Sequence, residues 1–197
     1  MRLTSRLAIP AASAVLILAL SACGSGDDSH STMPGAGTTS SSTADGTTTA
    51  SSGDVEFAQM MIPHHEQAVE MADLALSNDT ASPEVKALAG QIKAAQDPEI
   101  QTMQGWLSQW GASQSSGSMA HGSGGMMSDD DMSSLMGASG PEFDQMWLTM
   151  MIEHHEGAIE MAQDVLATTA DPDVEKLATA VVEGQEKEIT TMKGMLS

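Results

Sequence analysis

The chain has a single cysteine, no tyrosine, and 7 basic side chains against 27 acidic ones, a formal net charge of −20 over 197 residues. One cysteine cannot close an internal disulfide. Aromatic residues make up 3% of the chain, too few for the aromatic-rich strands of a sandwich or barrel. The shortage of Lys and Arg excludes nucleic acid as a partner, because that affinity rests on neutralising phosphates. What the chain has in excess is methionine, 17 residues, most of them close to histidines.

The N-terminus reads as an export signal. Arg2 and Arg6 make a positive region ahead of an apolar stretch, Leu7 to Leu20, broken only by Pro10 and Ser13. It is too short and too poorly flanked for a spanning helix. Leu20-Ser21-Ala22-Cys23 follows, and a cysteine placed there looks like a bacterial lipobox, with cleavage before Cys23 and lipidation of that residue. The alternative is ordinary cleavage near Ala22, leaving a free thiol. Loss of residues 1–22 removes Arg2 and Arg6, so the mature chain is more acidic still. Residues 23–53 are Ser, Thr, Gly, Ala and Asp with almost nothing apolar. Such a segment cannot bury enough surface to offset chain entropy, so it is expected to be a disordered tether. About thirty residues of coil span roughly 30 Å, enough to hold a domain clear of a lipid surface. His30 and Met33 lie in it and carry no pattern.

From residue 54 the chain repeats itself. Asp54 to Ala72 matches Asp144 to Ala162 at an offset of 90, with eleven of nineteen positions identical. The identities include Met60/Met150, Met61/Met151, His64/His154, His65/His155, Glu66/Glu156 and Met71/Met161. A second block, Pro83 to Leu107, matches Pro172 to Leu196 at an offset of 89, with Gln96/Gln185, Glu99/Glu188, Ile100/Ile189 and Met103/Met192 coinciding. Each repeat is therefore two segments around a short polar link.

Helical periodicity accounts for both segments. At 100° per residue, Phe57, Met60, Met61, His64, His65, Ala68, Met71 and Ala72 share one arc, opposite Glu66, Gln67, Glu70 and Asp73. Leu88, Ile92, Ile100, Met103 and Leu107 share one face of the second segment, with Gln96 in its middle. Pro63 and Pro98 fall inside these segments, and the pattern predicts kinked helices rather than breaks. The expected helices span 54–77, 83–110, 141–168 and 172–196, and Ser128-Asp129-Asp130-Asp131 reads as the capped start of a short helix. Two αα-hairpins with apolar faces must pair to bury them. The predicted fold is all-α, a four-helix bundle of two repeats (54–110 and 141–197) joined by a Gly/Ser/Met/His linker over 111–140.

Hairpin register then sets opposite partners. His64 and His65 precede the first turn by about as many residues as Gln96 and Glu99 follow it, so they should face one another at similar height. His154, His155, Gln185 and Glu188 should do the same. A lone histidine on an apolar face is ordinarily a hydrogen-bonded core residue, and Met at helical spacing is ordinarily core filler. Here both His-His pairs carry Met at the fourth and third positions before the first His and at the seventh after it. Both also face Gln and Glu. That coincidence points to metal binding by His64, His65, His154 and His155 with Met60, Met61, Met71, Met150, Met151 and Met161. Gln96, Glu99, Gln185 and Glu188 would then stand behind the ligands, the two glutamates as acceptors that orient the imidazoles or as direct carboxylate ligands for Cu(II).

Donor softness narrows the metal. Di-iron bundles use Glu-x-x-His, whereas this chain has Met61-x-x-His64 and Met151-x-x-His154. Thioether in place of carboxylate disfavours hard iron and favours Cu(I) or Ag(I), with imidazole accommodating Cu(II). Copper is the expected ion, though the donors suit other transition metals too. No catalytic residues stand out. The leading function is sequestration or buffering of copper outside the cytoplasm. The alternatives are a metallo-oxidoreductase acting on Cu(I) or Fe(II) and a helical interaction module without metal.

The doubled motif Met-Met-Ile-x-His-His-Glu-x-Ala-[Val/Ile]-Glu-Met-Ala, followed by Gln-x-x-Glu-Ile-x-x-Met, resembles the bacterial "domain of unknown function 305" family, as does Phe143-Asp144-Gln145-Met146-Trp147. The resemblance covers about 54–197. It implies a ferritin-like four-helix bundle and kinship with secreted copper-binding proteins of the CopM type, while implying no activity. The lipobox reading has its own test, membrane fractionation of Cys23→Ala. The variant should be released from the membrane, or remain an unprocessed precursor, with its metal binding unaltered. A normally processed, membrane-bound variant would refute lipidation at Cys23.

Overall fold

The computed structural model describes residues 50–114 and 124–197. The export signal, Cys23, nearly all of the expected tether, Met119 and His121 lie outside the described residues. Those described are all-helical: α1 (Ser52–Ser77), α2 (Pro83–Trp110), α3 (Asp129–Gly137), α4 (Gly140–Leu166) and α5 (Pro172–Met195). Among them no helix is long and apolar enough to cross a membrane.

Capping chemistry explains where the helices start. Ser51 accepts from the Asp54 backbone N–H while the Asp54 carboxylate accepts from Ser51 N–H, at 3.1 and 2.9 Å. This capping box starts α1 at Ser52, two residues earlier than hydrophobic periodicity alone suggests. Ser82 and Asp171 cap α2 and α5, each followed by proline in the first turn, where its missing N–H costs nothing. A second capping box, Ser128 with Asp131, starts α3. Gly111 ends α2 at φ +67°, a left-handed conformation that glycine adopts without strain. Pro63 and Pro98 both sit inside continuous helices. At the end of α4, Thr168 and Thr169 N–H both turn back to the Val165 carbonyl, closing the helix at Leu166.

Each hairpin packs within itself, α1 along α2 and α4 along α5, and the hairpins meet where α1 lies along α4. The core is not continuous. One apolar cluster takes Ala68–Ala75 of α1, Val85–Ile92 of α2, Phe143–Met151 of α4, and Ile189 and Met192 of α5, with Met132 and Leu135 of α3. The other takes Phe57–Ile62, Ile100–Leu107, Ala158–Val165 and Val174–Val181. On every long helix the gap between the two clusters falls at one level. It is occupied by His64 and His65, Gln96, His154 and His155, and Gln185, all buried. A polar belt thus divides the core.

The segment leading into α3 is fastened over this belt. The Gln67 side chain bonds the backbone of Met127 twice, donating to its carbonyl at 2.9 Å and accepting from its N–H at 2.8 Å. Across the hairpin interface, Gly124 and Gly125 lie directly on the backbone of α4 at Gly157. Gly125 sits at φ +78°, which favours glycine. A Cβ on Gly157 would overlap the Gly124 carbonyl. At the far end, Asn78 donates to the Ala138 carbonyl, and the Asp144 carboxylate accepts from Ser82 N–H. Gly157→Ala should therefore lift residues 124–127 and cost about 1–3 kcal/mol, as overpacking does. Urea unfolding measures the cost, and hydrogen exchange at the Met127 amide should accelerate. Unchanged stability and exchange would show that the seat on Gly157 is unimportant.

Candidate functional site

Successive residues on a helix project about 100° apart, so an adjacent His pair cannot aim both rings at one target. His64 and His154 point across the α1–α4 interface, their ring centroids 3.7 Å apart and planes 40° apart. His65 and His155 turn back into their own hairpins. His65 Nε2 lies 2.9 Å from Glu99 Oε2, and His155 Nε2 lies 2.7 Å from Glu188 Oε2. The register of the hairpins thus brings each carboxylate to its histidine. All four rings are at most 1% exposed, while the two Glu side chains are 20% exposed.

The partners dictate which nitrogen carries the proton. Carboxylate and carbonyl oxygens only accept. Nε2–H of His65 and of His155 therefore donates to glutamate. His64 Nε2–H likewise donates to the Gly124 carbonyl at 2.8 Å. In the neutral rings Nδ1 is left as a bare lone pair. None of these three Nδ1 atoms has a hydrogen-bond partner among the described residues, and neither ring nitrogen of His154 has one. Both amide atoms of Gln96 and Oε1 of Gln185 are also buried without partners there. Each such atom costs about 1–3 kcal/mol in desolvation. Burial pushes the His64 imidazole down to about 3, aided by repulsion from His65 and His155 and opposed by the Gly124 carbonyl. Burial holds His154 well below its ordinary 6.5, with its three neighbouring imidazoles adding to the effect.

The methionines fall into two groups. Met61, Met71 and Met151 are fully buried, and Met61 and Met151 belong to the apolar runs that border the belt from opposite sides. Met60, Met150 and Met161 are half-buried. Among the described residues no three or more His, Cys, Asp or Glu side chains gather as a metal-holding group. Divergent projection of neighbouring histidines is the reason. The donors present suit a soft ion of low coordination number: bare imidazole nitrogens, with thioethers at the edge of the belt. They do not suit a hard cation, which needs a cage of oxygens.

Three contributors were not singled out by sequence reasoning. Gly124 acts through a backbone carbonyl, which no side chain announces. Gln67 and Gly157 occupy equivalent places in the two repeats, as His-His-Glu-Gln and His-His-Glu-Gly. That mismatch inside a nearly identical motif was a visible signal. It marks where the connecting segment is clamped on one side and seated on the other.

A duplicated helical hairpin with buried histidine pairs at the level where its halves meet defines a class of small all-α domains. The chain belongs to the family described as "Domain of unknown function (DUF305)", whose profile matches residues 54–196. A DUF305 protein of Streptomyces coelicolor described as secreted is 34% identical, with 73% of this chain and 90% of that chain covered and a TM-score of 0.69. A DUF305 fragment from Deinococcus radiodurans is 31% identical, covering 75% and 97%, also with a TM-score of 0.69. CopM in its Cu(I)-bound form is 32% identical, covering 72% and 94% with a TM-score of 0.61. It is also solved bound to Cu(II) and to Ag. No curated protein matches.

The buried neutral imidazoles make stability depend on pH with a definite sign. His64 binds its proton near pH 6.5 when unfolded but only near 3 when folded, so between these values the unfolded chain holds more protons. Stability is full above about 6.5 and is lost as pH falls toward 3, at up to about 1.4 kcal/mol per pH unit for each such group. His154 acts in the same direction. Urea midpoints of the metal-free protein between pH 7 and 5 should show this slope. The slope should flatten in His64→Gln/His154→Gln, and an equally steep variant would assign it elsewhere.

Proposed function

We propose that this protein is an extracytoplasmic, lipid-anchored copper-binding protein of ferritin-like four-helix-bundle architecture, which sequesters or buffers copper. The observation that carries this reading is the set of buried imidazoles whose Nε2 protons are committed to oxygen acceptors while their Nδ1 lone pairs lack partners among the described residues. Oriented, desolvated and uncharged imidazole is the form in which histidine binds a metal. His64, His65, His154 and His155 supply the nitrogen donors. Met61 and Met151 supply thioether at the belt, with Met60, Met71, Met150 and Met161 farther along the same faces. Glu99 and Glu188 hold the rings of His65 and His155 in place, or bind Cu(II) directly. Gln96 and Gln185 supply amide groups beside them. The copper- and silver-bound forms of CopM, together with thioether softness, favour copper over iron. The Streptomyces relative described as secreted agrees with an export signal.

Anaerobic titration of the mature chain with Cu(I) against a competing chelator tests the reading, and a chain that takes up no copper would refute it. Oxidation state separates donors from core filler. Met61→Leu/Met151→Leu nearly conserves volume and should cost under about 1.5 kcal/mol of stability for each substitution. It should lower Cu(I) affinity strongly and Cu(II) affinity less. His64→Gln/His154→Gln should lower both, by about a hundredfold or more. A Leu variant that binds Cu(I) as tightly as the parent would restrict the donors to the histidines.

A further inference from the structure

The two repeats are equivalent by sequence around the belt, yet only one of two equivalent positions is open. Between the start of α1 and the end of α4 lies a cavity of about 260 Å³, lined by Gly53, Phe57, Met60 and Met161 and by the carboxylates Glu56 and Asp164. At an offset of 90, the residues matching Gly53, Glu56 and Phe57 are Phe143, Met146 and Trp147, and the residue matching Asp164 is Leu74. There Phe143 and Trp147 are fully buried, and the Trp147 indole N–H donates to the Met71 carbonyl at 2.8 Å. One end of the α1–α4 interface is thus plugged by apolar side chains. The other is a hollow carrying two thioethers under two carboxylates.

Met60 is the lining residue of α1 that stands nearest the belt. It lines the cavity and stands four residues before His64, one helical turn away on the same face. Carboxylates at a mouth attract cations without choosing among them, whereas thioethers hold soft ones. We propose that this cavity is the port through which soft monovalent cations, Cu(I) or Ag(I), reach and leave the buried histidines, with Met60 and Met161 as transient donors. This rests on the copper reading above and goes beyond it by assigning a route and a direction of access.

Kinetics separates a port from a site. A group on the route changes loading and release by the same factor and leaves the equilibrium alone, whereas a ligand of the final site changes the equilibrium. Cu(I) transfer from a coloured chelator to the mature chain, followed anaerobically by stopped flow, gives both rates and the final distribution. Met60→Leu/Met161→Leu should slow loading about tenfold or more, well beyond any loss of affinity that removing two thioethers brings. Gly53→Phe, which removes no thioether, should slow loading and release by the same factor and leave Kd unchanged. It installs the residue found at the plugged end, and a Cβ at Gly53 meets its neighbours, Ser51 and Thr168 Oγ atoms, only at 3.6 Å. Unchanged rates in both variants would overturn the proposal, as would a fall in affinity that matches the fall in loading rate of the Met variant. A parent that takes up no copper would instead refute the copper reading itself, and the port with it.

Discussion

The two imidazoles that meet where α1 lies along α4 set the terms for the rest of the molecule. His64 and His154 face one another at the level where both hairpins offer polar side chains to the core. Apolar side chains close in on both sides, so neither ring can reach water, and both stay neutral for that reason. Everything nearby is arranged around uncharged rings. The glutamates sit farther out, at the partly exposed rim, where a carboxylate keeps part of its hydration. The ring that receives an additional acceptor gets a carbonyl, which adds no net charge. Splitting the core is the cost of this arrangement, since a belt of buried polar atoms replaces a layer of leucine and valine.

Duplication created the belt, and divergence made its two sides unequal. His65 with Glu99 and His155 with Glu188 are near copies, at 2.9 and 2.7 Å. His64 and His154 are not, because the segment before α3 can lie over the interface only once. It reaches His64 through Gly124 and leaves His154 without that acceptor. Aromatic bulk is unequal in the same way. Trp147 and Phe143 fill one end of the α1–α4 interface while Phe57 and Gly53 leave room at the other.

Most of this architecture is legible in the sequence. The span of α2 follows directly from Ser82-Pro83 at one end and Gly111 at the other, and α5 follows from Asp171-Pro172. Equal spacing from the hairpin turn finds Glu99 opposite His65, because a tight two-helix register leaves no freedom to slip. The start of α1 was placed late because Ser51 and Asp54 act through reciprocal hydrogen bonds rather than hydrophobic periodicity. Identity of residue and level says nothing of azimuth, and neighbours on a helix diverge, so His64 and His154 meet across the interface while His65 and His155 turn to the glutamates of their own hairpins. The contact between His64 and the Gly124 carbonyl spans 60 residues and rests on a main-chain atom. No local pattern encodes it.

The exchange of Gln67 for Gly157 reaches beyond the belt. A glutamine side chain that grips a peptide unit and a bare stretch of helix that admits one are complementary, like a clasp and its slot. A protein assembled from two copies of the first repeat would have two clasps and nowhere for the glycines to lie. Two copies of the second would have two slots and nothing to hold the segment down. The halves still share a motif, but each requires the other, because the clasp and the slot serve one and the same connecting segment.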